Sequence, residues 1–347
     1  MSGMDQAWRA AAAAAVAEAF DLGPAVGGLR QVSGGRSHLM WNLRTTRGAW
    51  AVKQMHRSRE AWWMTDHGVA ADVEQVAFAQ GVAMPRPVHP VHPIAPLLAD
   101  VPVAGVDLTF RVHEWCTGHP LADADVPAGT LQWVGATLAA LHGLPVALSA
   151  ADASRYEPHG TDEWSDWLTG GGRADFVAGV REFLPDIAHA KALVDQASWQ
   201  PGEQLTPVFT HRDVKPDNVL LTSAGQVLVD WDGAGLDFAE WEVVRAALAF
   251  SRRGGGWHQP SFDRVVRTYQ SLAGRRIPPI AASFAGVLRL QLGGAALQLW
   301  RALGHRPVTA AERAAAHDHT MEFLTDLRTS LKQLDRWAHW LQLTVAD

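Results

Sequence analysis

Cysteine is nearly absent: the sequence has one, Cys116, among 347 residues. A single thiol closes no internal disulfide and builds no cysteine-based zinc site, which points to a reducing cytosol and a cytoplasmic location. Long apolar runs are also lacking. No stretch approaches the roughly 20 residues that span a bilayer. The alanine-rich run from Ala10 to Ala15 is flanked by Asp5, Glu18 and Asp21, not by the basic region and cleavage site of a signal peptide. No membrane partner is expected. Excess basic charge is missing too: the net charge is −6, with 10 basic and 10 acidic side chains in residues 1–116 and 20 and 26 in the remainder. Nucleic-acid binding depends on neutralising phosphates, so no nucleic-acid partner is expected. An acidic second part suits a cationic small molecule, although acidity that serves only solubility fits the same numbers.

What is present is the composition of an ordered globular chain, 48% hydrophobic and 19% charged, long enough for a bilobal unit. A helix is predicted from Gln6 to Phe20 by its alanine content, and Asp21-Leu22-Gly23-Pro24 stops it. Three β-type runs follow, Leu29–Val32, Met40–Thr45 and Trp50–Met55, with the glycine-rich turn Ser33-Gly34-Gly35-Arg36-Ser37 after the first. A helical stretch over Ala71–Gln80, a proline-rich connector and strands at Leu97–Ala99 and Leu108–Trp115 complete a first part that ends near residue 116. Beyond it the pattern is helical, with Leu131, Val134, Leu138 and Leu141 on one face of a helix. The exception is Pro207–Trp231, where short apolar strands surround polar turns, and loops held by such a scaffold are where chemistry is expected.

Phosphoryl transfer needs nucleotide phosphates positioned, a divalent metal held by hard oxygen ligands, and a carboxylate near the incoming hydroxyl. The Pro207–Trp231 passage carries such parts in order. Asp213 and Asn218 lie five residues apart across a loop containing Pro216, and Asp230 follows at the end of a strand hairpin that returns it beside Asn218. His211-Arg212-Asp213, then four residues, then Asn218 satisfies a kinase catalytic-loop pattern. Upstream, Lys53 in Ala51-Val52-Lys53 sits on the third strand of the meander.

On these residues the chain resembles the aminoglycoside phosphotransferase and choline kinase branch of the kinase superfamily, from about Leu29 to about Phe250. The resemblance implies an α+β, bilobal protein-kinase-like fold. Residues 1–115 would form a small β-rich nucleotide-binding lobe, and residues 116–347 a larger, mainly helical catalytic and substrate-binding lobe. It further implies Asp213 as catalytic base or hydroxyl-orienting carboxylate, Asn218 and Asp230 as Mg2+ ligands, and Lys53 on the α- and β-phosphates of ATP or GTP, with Glu74 (or its rival Asp72) as the partner of Lys53. Ser33, Gly34, Gly35 and Ser37 would approach the phosphates, and the backbone of Glu114 and Cys116 would hold the base. Lys215, if it faces the site, neutralises the transferred phosphoryl, and Asp232 supports metal or substrate. Asp162, Glu163, Asp166, Asp237, Glu240 and Glu242, set near Trp164, Trp167 and Trp241, are the candidate receivers of substrate amino groups. Amphipathic helices that bury tryptophan and display carboxylates account for the same pattern.

Three functions compete. The first is O-phosphorylation of a small hydroxylated molecule by a monomer or homodimer: an aminoglycoside-like antibiotic, which would make this a resistance enzyme, or else a sugar, amino sugar or amino alcohol. The second, a serine/threonine protein kinase, draws on Lys215-Pro216-Asp217. Against it, Trp231-Asp232 stands where Phe-Gly is expected, no Ala-Pro-Glu closes an activation segment, and Arg212 is left needing another partner. The third, a non-enzymatic binding module, predicts loss of Lys53, Asp213, Asn218 or Asp230, and none is lost. His89 and His92 have no third ligand nearby, and zinc sites want three or four. His317 and His319 point apart on a helix.

Overall fold

The computed structural model describes residues 3–32, 38–57, 61–121, 126–145, 158–169, 171–198, 205–306 and 309–345. In chain order the elements are α1 (Gly3–Ala19), β1 (Arg30–Gln31), β2 (Leu39–Thr45), β3 (Gly48–Met55), α2 (Ala61–Ala79), β4 (Pro87–Val88), β5 (Ala99–Val103), β6 (Val106–Glu114) and β7 (Gly118–Pro120). They continue with α3 (Ala128–His142), α4 (Thr161–Trp167), α5 (Ala174–Arg181), α6 (Leu184–Ser198), β8 (Pro207–Thr210), β9 (Val219–Thr222), β10 (Gly225–Leu228) and β11 (Gly235–Phe238). The chain ends in α7 (Ala239–Ser251), α8 (Gln259–Ala273), α9 (Ala285–Leu303) and α10 (Ala310–Val345). Among the described residues no helix is long and apolar enough to cross a membrane.

Two compact units result: one holds Met1–Asp125, Leu144–Asp152 and His211–Gly235, the other Val126–Gly143, Ala153–Thr210 and Leu236–Asp347. Each is discontinuous in sequence, which a single boundary near residue 116 does not express. In the first unit an antiparallel sheet runs in the order β1-β2-β3-β6-β4, with β5 also paired to β6. Strand alternation gives this sheet two unlike faces. Trp41, Leu43, Trp50, Val52, Phe110 and Val112 pack in one core with Ala13 and Val16 of α1 and with Phe20 just after it. The alternate positions on β3 and β6 carry Ala51 and Lys53 opposite His113 and Arg111. A second sheet, β10-β9-β7, supports the 211–235 passage.

Two elements depart from the sequence expectation for identifiable reasons. The strand expected at Leu97–Ala99 lies at Ala99–Val103, because Leu97 adopts a left-handed backbone with φ 62°. Asp100 and Pro102 hide the period of two set by buried Ala99, Val101 and Val103, and Pro102 is tolerated because β5 is an edge strand. Helix α2 starts ten residues before the expected Ala71. Its buried stripe of Trp63, His67, Ala70, Glu74 and Ala77 has helical spacing but includes two ionisable residues, which broke the apolar pattern.

In the second unit, residues of α4, α5, α6, α7, α9 and α10 form a continuous apolar core around Trp164, Phe176, Ile187, Trp241 and Leu292. Helices α3 and α8 approach so closely at Gly135 that a Cβ there would stand 2.6 Å from the Val265 carbonyl oxygen, which is backbone and cannot swing away. Gly135→Ala should therefore destabilise the protein by about 1–3 kcal/mol despite alanine's better helix propensity. Chemical denaturation of the two proteins measures this, and an unchanged or raised midpoint would show that the helices can separate freely.

Candidate active site

The 211–218 loop is held from within. His211 is fully buried; its Nε2 donates to the Val229 carbonyl at 3.1 Å and its Nδ1 accepts the Asp213 N–H at 3.3 Å. That pair of bonds defines the tautomer carrying the proton on Nε2. The ring also meets Trp231 edge to face, at 4.7 Å between centroids. One side chain thus joins the Asp213 loop to the turn that bears Asp230. A Val229 N–H···O=C Asn218 bond of 2.9 Å makes the same join through the backbone, and places Asp230 one residue from Asn218's partner, as the hairpin in the sequence implied.

Within the loop Asn218 Nδ2 donates to the Asp213 carbonyl at 2.8 Å and to its carboxylate at 2.7 Å, and Lys215 Nζ donates to the same carboxylate oxygen at 2.8 Å. An amide that donates through its nitrogen turns its oxygen the other way, so Asn218 orients Asp213 and still offers a neutral oxygen ligand. Arg212 (φ 65°) and Asp230 (φ 69°) both adopt left-handed backbone conformations, of the strained kind that packed functional loops retain. The guanidinium of Arg212 lies against Gly235, where a Cβ would stand 2.7 Å from it, and reaches the Gly233 carbonyl at 3.4 Å. The partner that the sequence left open for Arg212 is this turn.

Lys53 is buried and donates to Asp230 at 2.5 Å and to Asp232. The expected Lys53–Glu74 pair is not formed. Glu74 is fully buried and receives Arg111 on one oxygen and His113 Nε2, at 2.7 Å, near the other. Arg111 also donates to Asp232 at 2.8 Å. The physical reason is register: Arg111 faces Lys53 directly across β3 and β6, so two cations share one face and divide the carboxylates between them. Asp72, the rival of Glu74, is exposed.

The electrostatics follow from this crowding. Burial alone would lower the pKa of Lys53, but Asp232 and Asp230 outweigh it and raise the value. Burial likewise opposes ionisation of Glu74 and Asp232, yet Arg111 and His113 hold Glu74 below the usual carboxylate range, and Lys53 and Arg111 do the same for Asp232. In two histidines next to this cluster burial prevails over the nearby carboxylates. Burial lowers His38, whose Nε2 is 3.8 Å from Asp232. Burial, reinforced by Arg111, His38 and Lys53 against the pull of Asp232, brings His67 down to about 4. The Nδ1 of His67 is buried without a hydrogen bond, and its ring packs edge-on against Trp63 at 4.3 Å.

The remaining sequence candidates divide. Ser33, Gly34, Gly35 and Ser37 lie outside the described residues. At the expected hinge, the Glu114 N–H donates to the Arg86 carbonyl and the Trp115 N–H to that of Ala49, so these two donors are occupied in the sheet; Cys116 is a half-buried thiol raised by burial and by Glu114. Asp162, Glu163 and Asp166 are exposed around buried Trp164, with Glu163 closing the start of α4 through the Gly160 N–H and His159. Asp237, Glu240 and Glu242 are buried with protein partners: Arg289, the Thr206 N–H and His142. Sequence reasoning missed Arg111 and His113; the available signal was two ionisable residues at i and i+2 in an otherwise apolar strand. No group of three His, Cys, Asp or Glu suited to a metal occurs among the described residues.

The model of the phosphotransferase enzyme family matches residues 28–256, which takes in Lys53, Arg111 and the whole 211–235 passage. A search of curated proteins finds no match. Among solved structures the chain is similar to a spectinomycin phosphotransferase in complex with ADP and spectinomycin, at 12% identity over 87% of this chain and 94% of that one, with a TM-score of 0.61. It is similar to a microcompartment-associated aminopropanol kinase at 14% identity, 90% and 94% coverage and a TM-score of 0.57. A choline/ethanolamine kinase family protein from Mesorhizobium loti gives 17% identity, 98% and 99% coverage and a TM-score of 0.54. These likenesses establish the kinase-like α and β fold anticipated from the sequence.

His67 provides a test of the packed cluster. Its folded-state pKa is lowered from 6.5 to about 4, so between those values the unfolded chain binds a proton that the folded chain refuses. Stability is then fully present above pH 6.5 and falls as the pH drops toward 4, by on the order of 1–3 kcal/mol. Denaturation midpoints taken from pH 7 to pH 4.5 should show this slope in wild type and a shallower one in His67→Leu. Equal slopes would mean that His67 titrates normally.

Proposed function

Because the chain belongs to the phosphotransferase enzyme family, we propose that it moves the γ-phosphoryl group of ATP or GTP to a hydroxyl of a small molecule. The observation that carries this reading is the fixed carboxylate of Asp213, held by Asn218 and Lys215 and tied through His211 to the turn of Asp230 and Asp232 that grips Lys53. The acceptor O–H gives its proton to Asp213 as its oxygen bonds to the γ-phosphorus, and the bond to the β-phosphate oxygen breaks to release the nucleoside diphosphate. Lys53 steadies the α- and β-phosphates as a compact charge. Lys215, already beside Asp213, offsets the charge on the transferred group.

The donor set fits Mg2+. This ion keeps several waters and takes one or two carboxylates together with substrate phosphates. Asp230 commits one oxygen to Lys53 and leaves its side chain 40% exposed, while Asn218 offers its amide oxygen. These two residues would hold the ion, and the chemistry it would supply there is neutralisation of charge on the nucleotide phosphates.

An amino-bearing acceptor of the aminoglycoside kind is favoured by the exposed Asp162 and Asp166 beside the aromatic group Trp164, Trp167 and Trp300. It is also in keeping with the spectinomycin bound by one structural relative. Such an acceptor would make antibiotic inactivation the role; amino sugars and amino alcohols are the alternative acceptors. Protein substrates fit poorly, because the chain passes from Trp231–Gly233 through β11 straight into α7 at Ala239 without a separate activation segment.

The test is nucleotide turnover with aminoglycosides, nucleoside antibiotics, macrolides, amino sugars and choline-like alcohols, in wild type and in Asp213→Ala. One small-molecule class should be phosphorylated, and the variant should lose about 10²–10⁴-fold in rate with its thermal unfolding unchanged. Unchanged turnover in Asp213→Ala removes the mechanism, and phosphorylation of peptides alone replaces the small-molecule reading with a protein kinase.

A further inference from the structure

We propose that Asp232 and Arg111 form a relay that fixes Lys53, taking the place of a direct Lys53–Glu74 ion pair. Both are positioning residues, and the inference rests on the reading of Lys53 as the lysine that contacts the nucleotide phosphates.

Three observations on different elements converge on this assignment. The cross-strand register sets Lys53 directly opposite Arg111, and like charges facing each other on a sheet destabilise it unless anions intervene. Asp232 intervenes with both oxygens, one to Lys53 and one to Arg111. Glu74 has both of its oxygens engaged as well, by Arg111 and His113, and is fully buried. It cannot turn to Lys53 without abandoning a buried guanidinium that is itself only 1% exposed. The result is a chain of alternating charge, Lys53–Asp232–Arg111–Glu74, in which each inner member has two partners.

The two carboxylates on Lys53 differ in a way that separates their roles. Asp230 is 40% exposed and gives Lys53 one oxygen; Asp232 is 14% exposed and has no oxygen left over. Asp230 can leave Lys53 for a cation, whereas Asp232 leaving would take from Arg111 one of its two carboxylates. Lys53 therefore keeps its place through Asp232 when Asp230 changes partner. Arg111 acts in this only through Asp232, and Glu74 only through Arg111.

Binding of a non-hydrolysable nucleoside triphosphate analogue with Mg2+, measured by calorimetry on the full chain, tests the relay. Arg111→Met and Asp232→Asn should each weaken binding about tenfold or more, and Glu74→Gln by less, since Arg111 still supports Asp232 in that variant. Arg111→Met leaves Glu74 buried without its main partner and is the variant most exposed to misfolding. Glu74→Gln/Arg111→Met removes both charges, so its thermal stability should recover while its binding stays weak, a combination that a merely structural pair does not produce. Arg111→Lys, able to reach one carboxylate, should bind with intermediate strength. Wild-type affinity in Arg111→Met or in the double variant overturns the relay, as does Glu74→Gln proving the weakest binder, which is the signature of a direct Lys53–Glu74 pair. Failure of wild type to bind any nucleoside triphosphate overturns the reading of Lys53 itself, and the relay with it.

Discussion

Two cations on one face of a sheet, Lys53 and Arg111 in register across β3 and β6, set the terms for the rest of the first unit. Neither can be solvated where it lies, and an uncompensated buried charge costs several kcal/mol. The neighbourhood is accordingly anionic from two directions: Glu74 comes from α2, and Asp230 and Asp232 come from the turn after β10. His113, two residues along β6 from Arg111, completes the Glu74 environment. The opposite face of the same strands needs nothing of the kind, because α1 covers it with alanine and Val16, and Phe20 just after the helix joins them. One sheet thus separates a dry apolar core from an ionic layer.

The geometry within local reach was legible in the sequence. His211 to Asn218 forms a single loop whose internal bonds span no more than five residues, so the spacing implied that Asp213 and Asn218 meet, and the strand hairpin that follows implied that Asp230 returns beside them. The partner of Lys53 was not legible. Which carboxylate a lysine meets depends on what stands opposite it in the sheet, and the registers of strands half a unit apart leave no mark in residue spacing. Arg111 does not stand out in the sequence, because its strand reads as apolar core and its charge is explained only by Glu74 and Asp232, separated from it by 37 and 121 positions. For the acids near Trp241 the difficulty was burial: Asp237, Glu240 and Glu242 look like a displayed acidic cluster but are interior groups with partners.

The 211–218 loop and the turn after β10 keep two non-glycine residues at positive φ, Arg212 and Asp230. Each such position costs on the order of 1–3 kcal/mol, and the offsetting contacts are visible. His211 bonds to Val229 and packs on Trp231, Trp231 Nε1 donates to the Leu228 carbonyl at 3.1 Å, and Arg212 reaches the Gly233 carbonyl. These contacts join the two strained residues to each other's neighbours, so neither can relax alone. The geometry that presents Asp213 and Asp230 is in that sense a property of the pair of turns.

The discontinuous make-up of the first unit has a consequence for how the protein comes into being on the ribosome. Strands β1 to β6 and both sheet cations emerge early, but Asp230 and Asp232 leave the exit tunnel only after more than a hundred further residues, which include all of α3 to α6. Until then Lys53 has neither of its carboxylates, and Arg111 has Glu74 alone. Domains generally mature as units during translation; this one has to wait for a segment that lies beyond much of its neighbour. The nascent meander therefore has only part of its ionic layer, and that layer can close only after the two aspartates have been synthesised.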